Sequence, residues 1–425
     1  MRRSVIFLAL AWLLSTALAQ TNVVMFLDPR EPMELYQQYA DSYNEANPDV
    51  TISFESGGAT SDQQQQYLNT VLSGQSGDID IFQIDVIRPA TYAAAGWADP
   101  LDSYLGADLD AYLDEFLAGP VNADTVNGTL YAIPAYTDAM FLYYRSDLLE
   151  KYGFESPATL EEMERQALAI MEGENDPNLQ GFNYQGAAIE GAVCTFLQPF
   201  WSAGGDWLDD AGNVNVETDA GRRALEWYQR TLDTGITKPN IAETATDNSR
   251  QEFQAGHVVF MINWGYAWAH FQNDDDSTVR GNVGVAPIPA FDGGESYTCV
   301  GGWQWALNPY GDNKEVAFDV IRHYSSPEFQ RDLAIVGEFQ RDLAIVGGRM
   351  PARSALYQDE AVLEANPHFG AFYDVILGAR PRPVTEFYTD VSEIIRSNMN
   401  AFLAGTQGID DTLAEMQIGL EDAIE

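Results

Sequence analysis

Ile133 to Arg145 reads IPAYTDAMFLYYR, and the rest of the chain is organised around this stretch. It leaves a turn at Asn127-Gly128-Thr129 and runs into an alternating aromatic strand, Phe141-Leu142-Tyr143-Tyr144. Pro134 fixes φ and has no N–H to give to a ladder, which predicts a sheet edge or a crossover rather than a central strand. Strand side chains alternate with period two, so Tyr136 and Asp138 share a face. A ring beside a carboxylate suits a neutral polyhydroxy ligand, because the ring covers C–H surface and the carboxylate accepts hydroxyl hydrogen bonds. A buried tyrosine and a capping aspartate in a β–α turn fit the same residues, and the stretch alone leaves both readings open.

Upstream the chain alternates strand and helix. Thr21 to Leu27 reads as a strand, and Pro32 to Ala46 carries apolar residues at helical spacing (Met33, Leu35, Tyr36, Tyr39, Ala40, Tyr43). Val50 to Phe54, Ser61 to Ser73, Ile79 to Ile84 and Pro89 to Ala95 continue as strand, helix, strand, helix. That βαβαβ order predicts a parallel, doubly wound sheet. Downstream the pattern restarts. Helices are expected at Thr159 to Glu172, with Thr159 as N-cap, and at Ala192 to Ala203, Gly221 to Thr234 and Ser249 to Ala255. Strands are expected at Gly181 to Tyr184 and Val258 to Asn263, and Val283 to Pro289 (VGVAPIP) reads as a second crossover. The fold class is therefore α/β with two doubly wound lobes joined by crossing strands, a Venus-flytrap arrangement with a hinged cleft. The expected N-terminal lobe is 20–132 plus about 290–330, and the C-terminal lobe 133–289 plus about 348–425.

The N-terminus predicts export. Arg2-Arg3 precedes an apolar run from Val5 to Leu14, and Ala17-Leu18-Ala19 is a small-residue cleavage pattern before Gln20. Residues 1–19 are thus read as a signal peptide, with no cysteine after the cut to carry a lipid anchor, and the mature chain as periplasmic or secreted. With 46% hydrophobic and 12% aromatic residues the chain is globular, and a net charge of −42 with lysine only at Lys151, Lys238 and Lys314 excludes nucleic acid and anionic membranes as partners. Cys194 and Cys299 are the two cysteines, and an oxidising compartment allows a bridge between them. Were they in opposite lobes, that bridge would restrict opening. No metal site or cofactor is expected, and Asp274-Asp275-Asp276 reads as a solvated loop without EF-hand spacing.

Glu328 to Gly337 (EFQRDLAIVG) recurs unchanged at Glu338 to Gly347. Ten residues of helix add about 15 Å and rotate the downstream chain, so both copies cannot bury the same face. The duplication at 328–347 is expected to lie away from the cleft.

Aromatic residues gather just after strand ends. Asn263-Trp264-Gly265-Tyr266-Ala267-Trp268 closes one strand, and Gly301-Gly302-Trp303-Gln304-Trp305 follows the second crossover. Trp303 and Trp305 share a face if the segment is extended. Asp85 ends the third strand, where ligands of open α/β sheets sit, although it also fits as a helix N-cap. Core tryptophan is the ordinary alternative for each indole. No G-x-S-x-G, H-E-x-x-H, G-x-G-x-x-G or P-loop motif is present, and no carboxylate pair is singled out by context.

Taken together, Gln83-Ile84-Asp85-Val86, Ile133 to Ala139 with Leu142 to Arg145, Asn263-Trp264 with Tyr266 to Trp268, Val285 to Pro289, Gly301-Gly302-Trp303 and Pro381-Arg382-Pro383-Val384 resemble the periplasmic sugar-binding proteins of bacterial ABC importers. These form the maltose-binding-protein-like superfamily, and the chain is most similar to its trehalose/maltose-binding branch over essentially its whole mature length. The resemblance implies a monomeric, non-catalytic protein that closes on a small-molecule sugar and hands it to ABC permease subunits. By the same resemblance Asp85 and Asp138 would accept sugar hydroxyls, and Tyr136, Trp264 and Trp303 would flank the rings, with Tyr266 beside them. Gly302 and Arg382 would donate, and Trp305 would add a stacking surface where the branch often has an aliphatic residue. Two positions depart from the pattern: Ser56 stands where a basic contact can occur, and the expected acidic contact after the first strand falls near Pro32, beside Glu31 and Glu34. An α-linked disaccharide such as trehalose or maltose is the expected ligand. Another oligosaccharide, a glycerol phosphate and a secreted carbohydrate-active enzyme are the competing readings.

Overall fold

The structure, a computed structural model, describes residues 20–29, 31–58, 61–273, 275–335 and 349–425. The expected signal peptide, Asp274 and most of the duplication (336–347) lie outside the described residues. Ten strands are described: β1 (Thr21–Leu27), β2 (Val50–Ser56), β3 (Ile81–Asp85), β4 (Thr125–Val126), β5 (Thr129–Leu130), β6 (Ile133–Arg145), β7 (Gln180–Asn183), β8 (Val258–Trp264), β9 (Val283–Ala286) and β10 (Val300–Leu307). The order β2-β1-β3-β10-β6-β8-β7, with β9 also on β6, makes one paired sheet of eight strands, and β4-β5 is a separate hairpin.

β1 runs parallel to β2 and β3, as the βαβαβ reading requires, and β7 runs parallel to β8. The sheet is nevertheless mixed, because β10 is antiparallel to both β3 and β6, and β6 is antiparallel to β8 and β9. The second crossing strand is Val300–Leu307, not the VGVAPIP segment, whose strand β9 pairs only with Leu142 to Arg145 of β6.

β6 is flanked by strands on both sides only in its second half. Its first half pairs with β10 and its second half with β8 and β9. Opposite β10, that first half has a single bridge, Thr137 to Met350. Pro134 stands across from Gln304, where the β6–β10 register shifts. A proline that cannot donate is tolerated at a bulge beside a sparsely paired edge, so Pro134 lies where β6 is both a crossing strand and a sheet edge.

Each half of the sheet has apolar layers on both faces. Around β1, β3 and β10, Val23, Met25, Ile81 and Leu307 pack on one face with helix residues Leu35, Tyr36, Ile321 and Phe329. On the other face Phe26, Phe82, Ile84 and Ala306 pack with Leu68, Leu72 and Tyr92. The half built on β7 and β8 buries Phe182, Phe260 and Ile262 against Phe196, Leu225, Ile395 and Leu413. Phe141, Tyr143 and Met261 cover its reverse with Phe271, Phe369 and Phe372. The helix Leu160–Glu174 begins as expected, with the Thr159 hydroxyl accepting from the Glu162 N–H. No described helix is long and apolar enough to cross a membrane.

Candidate functional site

Three residues singled out in the sequence fall in one row across the sheet. Trp303 of β10 stands opposite Asp85 at the end of β3 on one side and opposite Tyr136 of β6 on the other. Directly paired antiparallel residues project to the same face. The tight fit of this row depends on two glycines. A Cβ on Gly301 would come within 2.7 Å of the Trp264 ring, and one on Gly302, whose φ is +115°, within 2.4 Å of the Tyr136 carbonyl. The Gly302 carbonyl accepts from the Val86 N–H at 3.0 Å, which ties β10 to the loop after β3.

Trp303 is partly exposed, but Trp305 is fully buried. Its ring centroid lies 6.3 Å from Tyr36 and 6.2 Å from Tyr324, inside the core of the first half. The expected stacking surface at Trp305 is therefore corrected to a core residue. The strand continues inward from Trp303, so two residues on, the same face meets helices and not the cleft.

Tyr136 is buried, donating its hydroxyl to Glu31 Oε1 at 3.1 Å. The Arg349 guanidinium lies 4.8 Å from the centroid of the Tyr136 ring and pairs with the same Glu31 oxygen at 3.3 Å. Glu31 thus anchors a cation–aromatic stack rather than standing alone. Asp138 Oδ1 accepts from the N–H groups of Ala139 (2.8 Å) and Gly265 (2.9 Å). Burial raises its carboxyl to about pH 7, against the opposing pull of those two N–H groups and of Arg349. Gly265 also follows Trp264, so Asp138 fixes the backbone that presents this indole.

Arg382 closes the row from the other half of the molecule. Its side chain is 2% exposed, with Nη1 donating to Glu190 Oε1 at 2.8 Å and Nη2 reaching Asp85 Oδ1 at 3.4 Å and the Val300 carbonyl at 3.3 Å. Its guanidinium carbon lies 5.7 Å from the Trp264 ring centroid. Glu190, at the start of helix Glu190–Ser202, also accepts from the hydroxyls of Tyr388 and, at 2.6 Å, Ser392. Burial raises the Asp85 carboxyl and Glu190 adds to that rise, while Arg382 offsets part of it. Asp85, Trp303, Trp264 and Arg382 are therefore brought together. The Tyr266 hydroxyl donates to Asp247 at 3.0 Å.

Contacts also join the halves beyond this row. Asp62 accepts from Arg88 at 3.2 Å and from Arg396 at 3.1 Å, and Thr389 takes donors from Gln65 (3.3 Å) and Arg88 (3.4 Å). Arg349 and Glu190 carry no local signal in the sequence. The first follows the duplicated segment, and the second opens a helix whose partners come from residues 382 to 392. Duplication residues 336–347, and with them the expectation that the segment lies away from the cleft, fall outside the described residues; Arg349, two residues beyond the duplication, is at the site. Among the described residues no group of three or more histidine, cysteine, aspartate or glutamate side chains is placed to hold a metal.

Cys194 and Cys299 are bonded, with Cα atoms 6.0 Å apart. Both belong to one core, with Phe196, Phe200 and Phe291, so the bridge does not tie two lobes together.

A family profile described as bacterial extracellular solute-binding protein matches residues 28–331. The chain belongs to that family. It is 33% identical to a Deinococcus radiodurans protein described as a probable ABC transporter-binding protein, over 78% of this chain and 77% of that one. A maltose-bound structure of T. maritima MalE3 superposes with a TM-score of 0.83 at 32% identity, over 95% of this chain and 99% of the other. A mannitol-binding protein of Pseudomonas aeruginosa is 24% identical over 64% of this chain and 61% of that protein. The two-lobed α/β architecture is that of the maltose-binding-protein-like group.

Proposed function

We propose that this solute-binding protein captures a neutral sugar, an α-linked disaccharide such as maltose or trehalose, between its two lobes and delivers it to the membrane subunits of an ABC importer. The observation that carries this reading is the row Asp85–Trp303–Tyr136 on one half facing Trp264 and Arg382 on the other. Indole faces bury sugar C–H surface, and charged groups that already hold one another in place present fixed hydrogen-bond partners to hydroxyls. Closure removes water from those bonds and strengthens them. Lobe boundaries at Ile133 and near residues 290 and 348 fit this motion, because β6 and β10 are the strands on which the two halves meet. The likeness to maltose-bound MalE3 across nearly the full chain supports the same ligand class.

The charge pattern disfavours an anion such as a glycerol phosphate. Each arginine at the cleft already has a carboxylate: Arg382 has Asp85 and Glu190, Arg349 has Glu31, and Arg88 and Arg396 have Asp62. An anionic ligand would have to break those pairs and leave Asp85, Glu190 and Glu31, which are largely buried, uncompensated.

Calorimetric titration of residues 20–425 with maltose, trehalose, sucrose, glucose, mannitol and a glycerol phosphate tests the reading. One disaccharide is expected to bind one-to-one, with affinity reduced at least about tenfold by Trp303→Ala and by Asp138→Ala. Folded protein that binds the phosphate, or none of the sugars, would refute it.

A further inference from the structure

A small cavity of about 10 Å³, room for one water-sized group, lies between helix Ser61–Ser73, the end of β3 and the helix Pro89–Ala95, beside Asp85 and Trp303. Five residues that line it carry buried polar atoms with no hydrogen-bond partner among the described residues; Ser61 is the least enclosed of them, and the other four, Gln64, Gln83, Arg88 and Tyr92, define the site. Gln83 Nε2 and Arg88 Nε are donors, Gln64 Oε1 is an acceptor, and the Tyr92 hydroxyl is both. All four side chains are nearly fully enclosed, at 0%, 3%, 1% and 0% exposure for Gln83, Arg88, Gln64 and Tyr92. Orphaned buried groups on this scale are rare in folded proteins, and each carries a desolvation cost.

The other ends of the same side chains are firmly held. Gln83 Oε1 accepts from the Asp28 N–H at 3.1 Å, Gln64 Nε2 donates to Asp28 Oδ2 at 2.9 Å, and Arg88 Nη2 pairs with Asp62 at 3.2 Å. The Tyr92 ring is fixed against Phe82 and Trp97 at centroid distances of 5.8 Å each. The free atoms are therefore presented in set directions, and their mixture of donors and acceptor matches an uncharged hydroxyl, which donates once and accepts twice. An ammonium would waste the two donors, and a carboxylate or phosphate would face the Gln64 carbonyl and Asp85.

We propose that this cavity is a subsite of the sugar cleft that takes a single hydroxyl oxygen at one end of the ligand, past Asp85 and the edge of Trp303. The proposal rests on the sugar-binding reading above and adds to it the residues that choose between a ligand with that hydroxyl and one without. Gln64, Gln83, Arg88 and Tyr92 act by touching the ligand. The cavity discriminates because a deoxy ligand leaves unpaired the buried polar atoms that the hydroxyl would satisfy, three at most, a larger penalty than a lost contact on an open surface.

Maltose, trehalose and their 6-deoxy and 6′-deoxy analogues are titrated into wild-type protein, Tyr92→Phe and Gln83→Glu. Tyr92→Phe deletes only a hydroxyl and holds the local frame; Gln83→Glu keeps the shape and the oxygen that accepts from Asp28 but adds a carboxyl to a buried site, so its folding is checked separately. Thermal unfolding of each unliganded variant reports on folding. The expected result is a loss of about tenfold in each variant toward the parent sugar and no further loss toward the analogue that lacks the buried hydroxyl. Parent affinity unchanged in both variants would overturn the subsite and leave the sugar reading standing. The subsite is equally overturned if every deoxy analogue binds the wild-type protein as its parent does, which would mean that water alone fills the cavity. Wild-type protein that binds neither sugar would overturn both readings together.

Discussion

Among single residues, function and stability turn on how each side chain is partnered. Asp138 is the sharpest case, because its carboxyl is partly buried and takes two backbone N–H groups on one oxygen. Its folded value near pH 7 lies above the ordinary aspartate range near 4, so the folded protein holds more protons than the unfolded chain between those limits. Its contribution to stability is therefore fully present below about pH 4 and lost as pH rises through about 7. Asp138→Asn keeps an oxygen for Ala139 and Gly265 and removes the titration. Denaturant unfolding of the wild type between pH 5 and 8 should show a downward slope that the variant lacks. Equal slopes in the two proteins would rule out this assignment. Trp303 and Trp305 show the converse, two indoles equivalent in the sequence that fall on opposite sides of a functional boundary. The bulge between Trp303 and Gln304 and the packing of Tyr36 and Tyr324 decide which one faces the cleft, and neither has a local sequence signal.

Among the elements, the disulfide joins helix Glu190–Ser202 to the entry of β10. That helix presents Glu190 to Arg382, and β10 presents Trp303, but both cysteines lie in the core of one half. The bridge closes a loop with a sequence separation of 105, and removing such a bridge costs roughly 2–5 kcal/mol. Cys194→Ala with Cys299→Ala should lower the unfolding midpoint by that measure and leave sugar affinity within about threefold. Unchanged stability with a large change in affinity would mean that the bridge acts on lobe motion after all. Elements of this kind are legible where the signal is local. The βαβαβ unit, the Thr159 cap and the long strand from Ile133 can all be read from the sequence, because periodicity, caps and prolines act over a few residues. The β9 segment reads as a crossing strand and is not one, since proline-flanked apolar runs look alike whether they pair with one half of a sheet or span both. Arg349 and Glu190 escape a sequence reading for the same reason, their roles being set by partners far away in the chain.

Across the whole molecule, the two halves are held by β6 and β10 at the back and by ion pairs at the front. The front contacts centre on Asp62, which accepts from Arg88 of its own half and from Arg396 on helix Tyr388–Leu403. The Asp62 side chain is 41% exposed, so each pair contributes at most about 1 kcal/mol and is screened by salt. The chain's net charge of −42 pushes the other way, since two strongly acidic lobes repel. Asp62→Ala removes the shared acceptor while leaving β6, β10 and the Trp303 row untouched. A stabilisation of this size shifts the ratio of closed to open forms by about fivefold, and apparent affinity follows the closed fraction. In small-angle scattering the unliganded variant should have a larger radius of gyration than the wild type, while the two saturated proteins coincide. Its sugar affinity should fall by no more than about fivefold. Identical scattering from the unliganded proteins would mean that the back strands alone set the opening, and that Asp62 only holds Arg88 beside the cavity.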